Sequence, residues 1–122
     1  MAQYASNILF SIDTALQLKN GVNKETINAQ KNLTNQDSTV QFITPSGGTQ
    51  TVKLPAVRSG LSFLICNLDT TNTLRVWTNT DVELVNMAAN NSAAPTTSSV
   101  YCWSDGTVWC SMILVSYSAF SA

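Results

Sequence analysis

The pattern of apolar and polar residues in the middle of the chain predicts two β-strands. Val52 and Leu54 alternate with Lys53, which is the period-two pattern of a strand buried on one face. Pro55 fixes the backbone and lacks an amide donor, so we expect strand pairing to stop there. The stretch from Leu61 to Cys66 is apolar at every position but one, which predicts a strand covered on both faces. Such a strand belongs at the centre of a β-sandwich.

Shorter apolar segments on both sides predict further strands. Residues 39–54 are expected to form a hairpin, because a Pro-Ser-Gly-Gly turn at 45–48 separates two alternating segments. Residues 74–78 and 82–85 each predict one more strand. The sequence therefore indicates an all-β, antiparallel β-sandwich.

A second hairpin is predicted around Asp105-Gly106, a dipeptide typical of tight turns between strands. A two-residue loop would pair Cys102 with Trp109, and we favour this register because Asp-Gly suits a primed turn. A three-residue loop would instead pair Cys102 with Cys110, which would make a disulfide geometrically possible.

The N-terminal residues 1–19 fit either a helix or an extended strand, since their apolar residues match both periods. Asn20-Gly21 is a strong hairpin signal, so we favour an extended arm that turns there and either packs on a neighbouring subunit or forms an edge strand. Residues 86–99 are the longest polar stretch, interpreted as a contact loop or as a surface connection. The 1–19 arm and the 86–99 loop are the two candidate contact segments.

The length of 122 residues indicates one compact unit, which we divide into an N-terminal arm or hairpin, residues 1–37, and a β-sandwich domain, residues 38–122. Hydrophobic residues make up 44% of the chain and charged residues only 11%, against about 25% charged in an average soluble protein. That composition favours strands and turns, and equally a surface covered by other subunits.

The distribution of charge argues against several classes of partner. The net charge is −1 and the basic residues are scattered, so we expect no nucleic-acid binding. No apolar run is long enough to predict a membrane span, and the N-terminus lacks the pattern of a secretory signal. We therefore expect assembly in the cytoplasm.

The sequence predicts no enzyme, and we name no catalytic, cofactor-binding or metal-binding residue. The chain has no histidine, and its carboxylates fall mostly in turns or alone in strands, so turn chemistry explains Asp69, Asp81 and Asp105 better than catalysis does. The cysteines number three and lack the spacing of a zinc site, which favours small buried apolar side chains over disulfides or metal ligands. The tryptophans are either core residues or a sugar-binding platform.

A series of short motifs resembles a small β-domain of tailed-phage virion proteins. The matching residues are Val52-Lys53-Leu54-Pro55-Ala56, then Gly60, the apolar strand Leu61 to Asn67, the strand Leu74 to Trp77, and Tyr101 to Trp109 with its Asp105-Gly106-Thr107 turn. The order and spacing of these motifs carry the resemblance, which covers about two thirds of the chain.

The resemblance implies a jelly-roll-like β-sandwich in a bacteriophage virion. It implies a non-enzymatic capsid decoration (cement) protein without a cofactor, a homotrimer that binds across neighbouring copies of the major capsid protein and stabilises the head. The alternatives are a tail-fibre or head-fibre module that recognises glycans, for which Trp77, Trp103 or Trp109 should line a groove, and a minor tail structural protein.

Overall fold

The structure, a computed structural model, describes residues 21–89 and 99–114, and this part of the chain is all-β. The described strands are β1 (Val22–Ile27), β2 (Lys31–Asn32), β3 (Val40–Pro45), β4 (Gln50–Lys53), β5 (Ser62–Asn67), β6 (Leu74–Trp77), β7 (Glu83–Met87), β8 (Ser99–Ser104) and β9 (Trp109–Leu114). They form a five-stranded sheet, in the order β1-β3-β5-β8-β9, and a four-stranded sheet, in the order β2-β4-β6-β7.

The chain alternates between the two sheets from β1 to β6, and this alternation makes part of each sheet parallel. When the chain leaves a sheet, forms a strand in the other sheet and then returns, the new strand runs parallel to the previous strand of the same sheet. The pairs β1–β3, β3–β5, β2–β4 and β4–β6 are accordingly parallel, whereas β5–β8, β6–β7 and β8–β9 are antiparallel. Both sheets are therefore mixed, and the prediction of antiparallel pairing holds for three of these seven pairs.

The two sheets share one cluster of buried apolar side chains. The five-stranded sheet supplies Ile43, Phe63 and Ile65, and the four-stranded sheet supplies Val52 and Val76, all fully buried. These residues alternate along their strands with positions that point away from the core, as the pleat of a strand requires. The predicted central strand is confirmed, because β5 is the middle strand of the larger sheet.

The predicted hairpin over residues 39–54 is wrong. β3 and β4 lie in different sheets, so the chain crosses the core at the turn instead of folding back beside itself. A turn sequence fixes a change of direction but does not determine which sheet receives the next strand. β1 and β2, which lie inside the predicted 1–37 segment, pair with β3 and β4 and so belong to the two sheets.

The second hairpin is confirmed, but its register matches neither predicted alternative. Ser104 pairs with Trp109 and Cys102 with Ser111, which leaves a four-residue loop. The Asp105 carboxylate accepts the amide hydrogens of Thr107 and Val108 at 2.8 and 3.0 Å, and this side-chain turn closes the longer loop.

A fully buried asparagine ties the end of β5 to its surroundings. The Asn67 amide group donates hydrogen bonds to the carbonyl oxygens of Asn72 at 3.0 Å, Ala88 at 3.1 Å and Met87 at 3.4 Å, and its oxygen accepts the amide hydrogen of Asp69 at 2.9 Å. One side chain thus joins the end of β5 to the turn before β6 and to the end of β7. This is the asparagine that ends the apolar strand of the sequence motif.

Candidate interaction surface

The outward side of the five-stranded sheet is apolar, although it faces away from the core. Cross-strand partners share a face, and Leu64 of β5 lies between Val40 of β3 and Tyr101 of β8. The outward apolar residues, which we call the outer apolar face, are Val22, Val40, Phe42, Leu64, Cys66, Tyr101, Trp103, Cys110, Met112 and Leu114. Val40 and Cys66 lie on this face and outside the core cluster, yet they are only 3% and 5% exposed, so the outer apolar face is covered at these two positions.

The outward sides of the two sheets differ in charge. Among the described strands of the larger sheet, Lys24 on the edge strand β1 is the one charged residue that points outward. The smaller sheet presents Lys53, Arg75 and Glu83 outward instead, together with Asn86. A solvent-facing sheet surface is normally polar, so the smaller sheet shows the ordinary pattern and the larger sheet does not.

The outer apolar face is most open at β8 and β9. Tyr101 is 37% exposed and Met112 is 56% exposed. The rings of Tyr101 and Trp103 stack with centroids 5.7 Å apart and an interplanar angle of 25°. Beside them lies an open depression of about 470 Å³, lined by Gly60, Ser62, Tyr101, Trp103, Ser104 and Met112.

The hairpin that carries this surface is held by the connection between β4 and β5. The Trp109 indole N–H donates to the carbonyl oxygen of Pro55 at 2.9 Å. The Ser104 hydroxyl oxygen accepts the amide hydrogens of Arg58 and Gly106, each at 3.1 Å. Two sequence motifs that are far apart along the chain, the proline strand and the Asp-Gly-Thr hairpin, therefore contact each other directly.

The three tryptophans occupy three different environments. Trp109 is 8% exposed and packs near Phe63 in the core. Trp77 is half-buried, with the Arg75 guanidinium 4.8 Å from its ring centroid. Trp103 lines the open depression, which is a counterpart of the predicted aromatic groove.

The three cysteines are free thiols, and they differ in burial and in the face of the sheet on which they lie. Burial raises the pKa of Cys66 to about 11 and the pKa of Cys102 to about 12. Cys110 is half-buried and pairs with Trp103 on the outer apolar face, whereas Cys102 points into the core. Because Cys102 and Cys110 lie on opposite faces of the sheet, the register that would have allowed a disulfide is wrong. The prediction of small buried side chains is confirmed for Cys66 and Cys102.

Most of the described carboxylates lie in turns or ion pairs. The turn interpretation is confirmed for Asp69, which accepts the Asn72 amide hydrogen at 2.6 Å, and for Asp105, whose pKa is lowered by its bonds from the amides of Val108 and Thr107. Asp81 adopts a left-handed backbone at φ 64° in the turn before β7. The described residues contain no group of three acidic, cysteine or histidine side chains placed to hold a metal ion.

A charged pair joins β1 and β2, which are edge strands of the two different sheets. The Lys31 ammonium lies 2.6 Å from the Glu25 carboxylate, and this contact, with a hydrogen bond from Asn23, lowers the pKa of Glu25. The pair is partly exposed, so it contributes little to stability. It does mark both edges as charged.

The predicted contact segments lie largely outside the described residues. Nothing is described for the 1–19 arm, for the Asn20 half of its turn or for residues 90–98 of the polar stretch. The ends of that stretch are described: Asn86 and Met87 belong to β7, with Met87 fully buried, and Ser99 begins β8. The described part of the chain has no helix with the length and apolarity of a membrane crossing.

Comparison with protein-family models, with curated proteins and with solved structures found no match. The sequence predicts one part of the outer apolar face, because the apolar run of β5 indicates a strand with apolar side chains on both faces. Apolar residues also occupy consecutive positions in β8 and β9, and this pattern is the sequence signal for the rest of the surface.

Proposed function

We propose that this chain is a non-enzymatic structural protein of a bacteriophage virion, a capsid decoration protein that binds across neighbouring major capsid subunits and stabilises the head. The observation that carries the proposal is the uncharged outer apolar face, set against the ordinary polar exterior of the second sheet. Exposed apolar patches are frequent protein-interaction sites, and the exposed part of this face, at Tyr101 and Met112, supports the proposal. The resemblance of the motifs to virion β-domains supplies the class of partner.

The mechanism would be stabilisation by selective binding. A protein that binds the assembled shell, and not free or unfolded subunits, favours the shell by mass action. Many identical weak contacts on a symmetric shell add to one another. In this proposal the chain requires no cofactor, contacts neither nucleic acid nor membrane, and sits on the capsid exterior after assembly in the host cytoplasm.

Binding to empty capsids of the virus that carries the chain tests the proposal. We expect the wild-type chain to sediment with capsids and to raise the temperature at which they rupture. Tyr101→Lys should weaken binding by about tenfold or more, since a buried unpaired charge costs well over 1.4 kcal/mol. Asn86→Lys, on the outward side of the smaller sheet, is the matched control and should bind as the wild type does.

A chain that fails to sediment with capsids would defeat this function. Copy number per virion gives an independent answer. Hundreds of copies fit a decoration protein, whereas a handful would favour the minor tail protein. The trimer and the jelly-roll arrangement rest on the resemblance alone. The mass of the assembly in solution tests whether it contains three subunits.

A second candidate, a fibre module that recognises glycans, is favoured by one observation. Tyr101 and Trp103 stack beside an open depression, and sugar rings pack against such aromatic faces. Binding on a glycan array that is abolished by Trp103→Ala and retained by Trp77→Ala would support it. An array without hits would count against it.

A further inference from the structure

The four sheet edges in the described part of the chain are not protected equally. β1 carries Lys24 and Glu25, β2 is two residues long and includes Lys31, and β7 begins with Glu83. Short length and charged side chains are the usual means by which proteins prevent edge strands from pairing with other chains. The fourth edge, β9 (Trp109–Leu114), carries no charge and no proline.

The side chains of β9 are open on both faces. Ser111, Met112 and Ile113 are three consecutive exposed residues, and Met112 and Ile113 are 56% and 50% exposed. Successive residues point to opposite faces, so Met112 extends the outer apolar face while Ile113 lies on the other side. Within the described residues β9 pairs only with β8. No charged residue follows Asp105 in the sequence.

We propose that β9 pairs antiparallel with β9 of a second copy of this chain. A two-fold axis normal to the sheet produces this arrangement, in which each strand meets its own sequence reversed. Because β9 is uncharged, no like charges face each other in any register, whereas the same arrangement at β1, centred on its charged residues, would place Lys24 opposite Lys24 or Glu25 opposite Glu25. A six-residue antiparallel pair exchanges about six main-chain hydrogen bonds, and added strands of this kind are an established mode of recognition.

The pairing would join the two five-stranded sheets into one continuous sheet. The outer apolar faces of both copies would then lie side by side and form a single docking surface of twice the width. The inference extends the proposed function, on which it rests for its biological role, by naming the contact between copies. Because the contact is two-fold, it predicts two copies instead of the three that the resemblance implies.

Sedimentation of the purified full chain tests the contact without any capsid. We expect the wild type to reach the mass of a dimer as concentration rises, and we expect Met112→Lys and Ile113→Lys to remain monomeric at the same concentrations. Val82→Lys is the matched control, since Val82 is 57% exposed in a turn away from β9; this variant should dimerise as the wild type does. Thermal melts of the variants exclude unfolding as the cause.

Hydrogen exchange locates the contact independently of register. Amides of residues 109–114 should gain protection as concentration rises, whereas amides of β1 should not. A monomer at every concentration, a trimer, or a dimer that survives Met112→Lys would overturn the inference and leave capsid binding open. A dimer that does not bind capsids would instead refute the proposed function and leave the β9 contact standing.

Discussion

Replacing Asn67 by alanine tests how far one buried side chain holds the two sheets together. The asparagine makes four hydrogen bonds, to Asn72, Met87, Ala88 and Asp69, from a fully buried position at the end of β5. Alanine removes all four at once and leaves three backbone carbonyls and one amide without this partner. The change adds no bulk and no charge.

The expected loss of stability follows from the three shorter bonds, at 2.9, 3.0 and 3.1 Å. Each intramolecular hydrogen bond contributes about 1 kcal/mol net, and an unsatisfied buried group costs about 1–3 kcal/mol. The partners in these three bonds are only partly buried, so water replaces some of the lost bonds. We therefore expect a loss of about 3 kcal/mol from a total that is typically 5–15 kcal/mol.

Urea denaturation followed by tryptophan fluorescence measures this loss, and a thermal melt should shift by roughly 12 °C for a chain of this length. Asn86→Ala is the control, since Asn86 is exposed on the outward side of the smaller sheet; it should change stability by less than about 0.5 kcal/mol. A loss below about 1 kcal/mol for Asn67→Ala would refute the account, because water would then replace the side chain fully.

Asn67→Asp gives a second measurement with a pH signature. Its carboxylate would face the carbonyl oxygens of Asn72 and Ala88, which accept hydrogen bonds from the native amide group. Folding would raise the pKa of this carboxyl, because only the protonated form can donate to those carbonyls. The variant should therefore be less stable than Asn67→Ala at pH 7 and should regain stability as the pH falls. An aspartate variant with a flat pH response would contradict the geometry.

Three further outcomes follow from the described contacts. Trp109→Phe should cost at least about 1–2 kcal/mol in a denaturant melt, since it removes the bond to the Pro55 carbonyl and also part of the buried indole ring. A thiol reagent at neutral pH should label Cys110 first, whereas Cys66 and Cys102 should react only on unfolding; rapid labelling of all three would contradict their burial. Burial raises the folded pKa values of Cys66 and Cys102 from 9.0 to about 11 and about 12. The contribution of these thiols to stability is therefore present below pH 9 and is lost as the pH rises toward the folded values. A plot of melting temperature against pH should show a smaller slope above pH 9 when both cysteines are replaced by alanine.

The sequence alone determined the class of the fold and the faces of its strands. Val52 and Leu54 were expected to point inward, and the alternation of apolar and polar residues is sufficient for this, because successive side chains of a strand must point to opposite sides. The central position of β5 followed from a run that is apolar at every position but one. The turn roles of Asp69 and Asp105 followed from side-chain chemistry that acts within three residues.

The tertiary structure decided which strands are neighbours. The turn at 45–48 fits a hairpin and a crossing between sheets equally well, because local turn geometry does not record where the next strand finds its partner. The turn sequence at Asp105 likewise does not determine the register of its hairpin, since one added loop residue changes every cross-strand pair. The outer apolar face is likewise a product of pairing: β3, β5, β8 and β9 each contribute a few apolar residues, and only their register in one sheet joins these into a continuous surface.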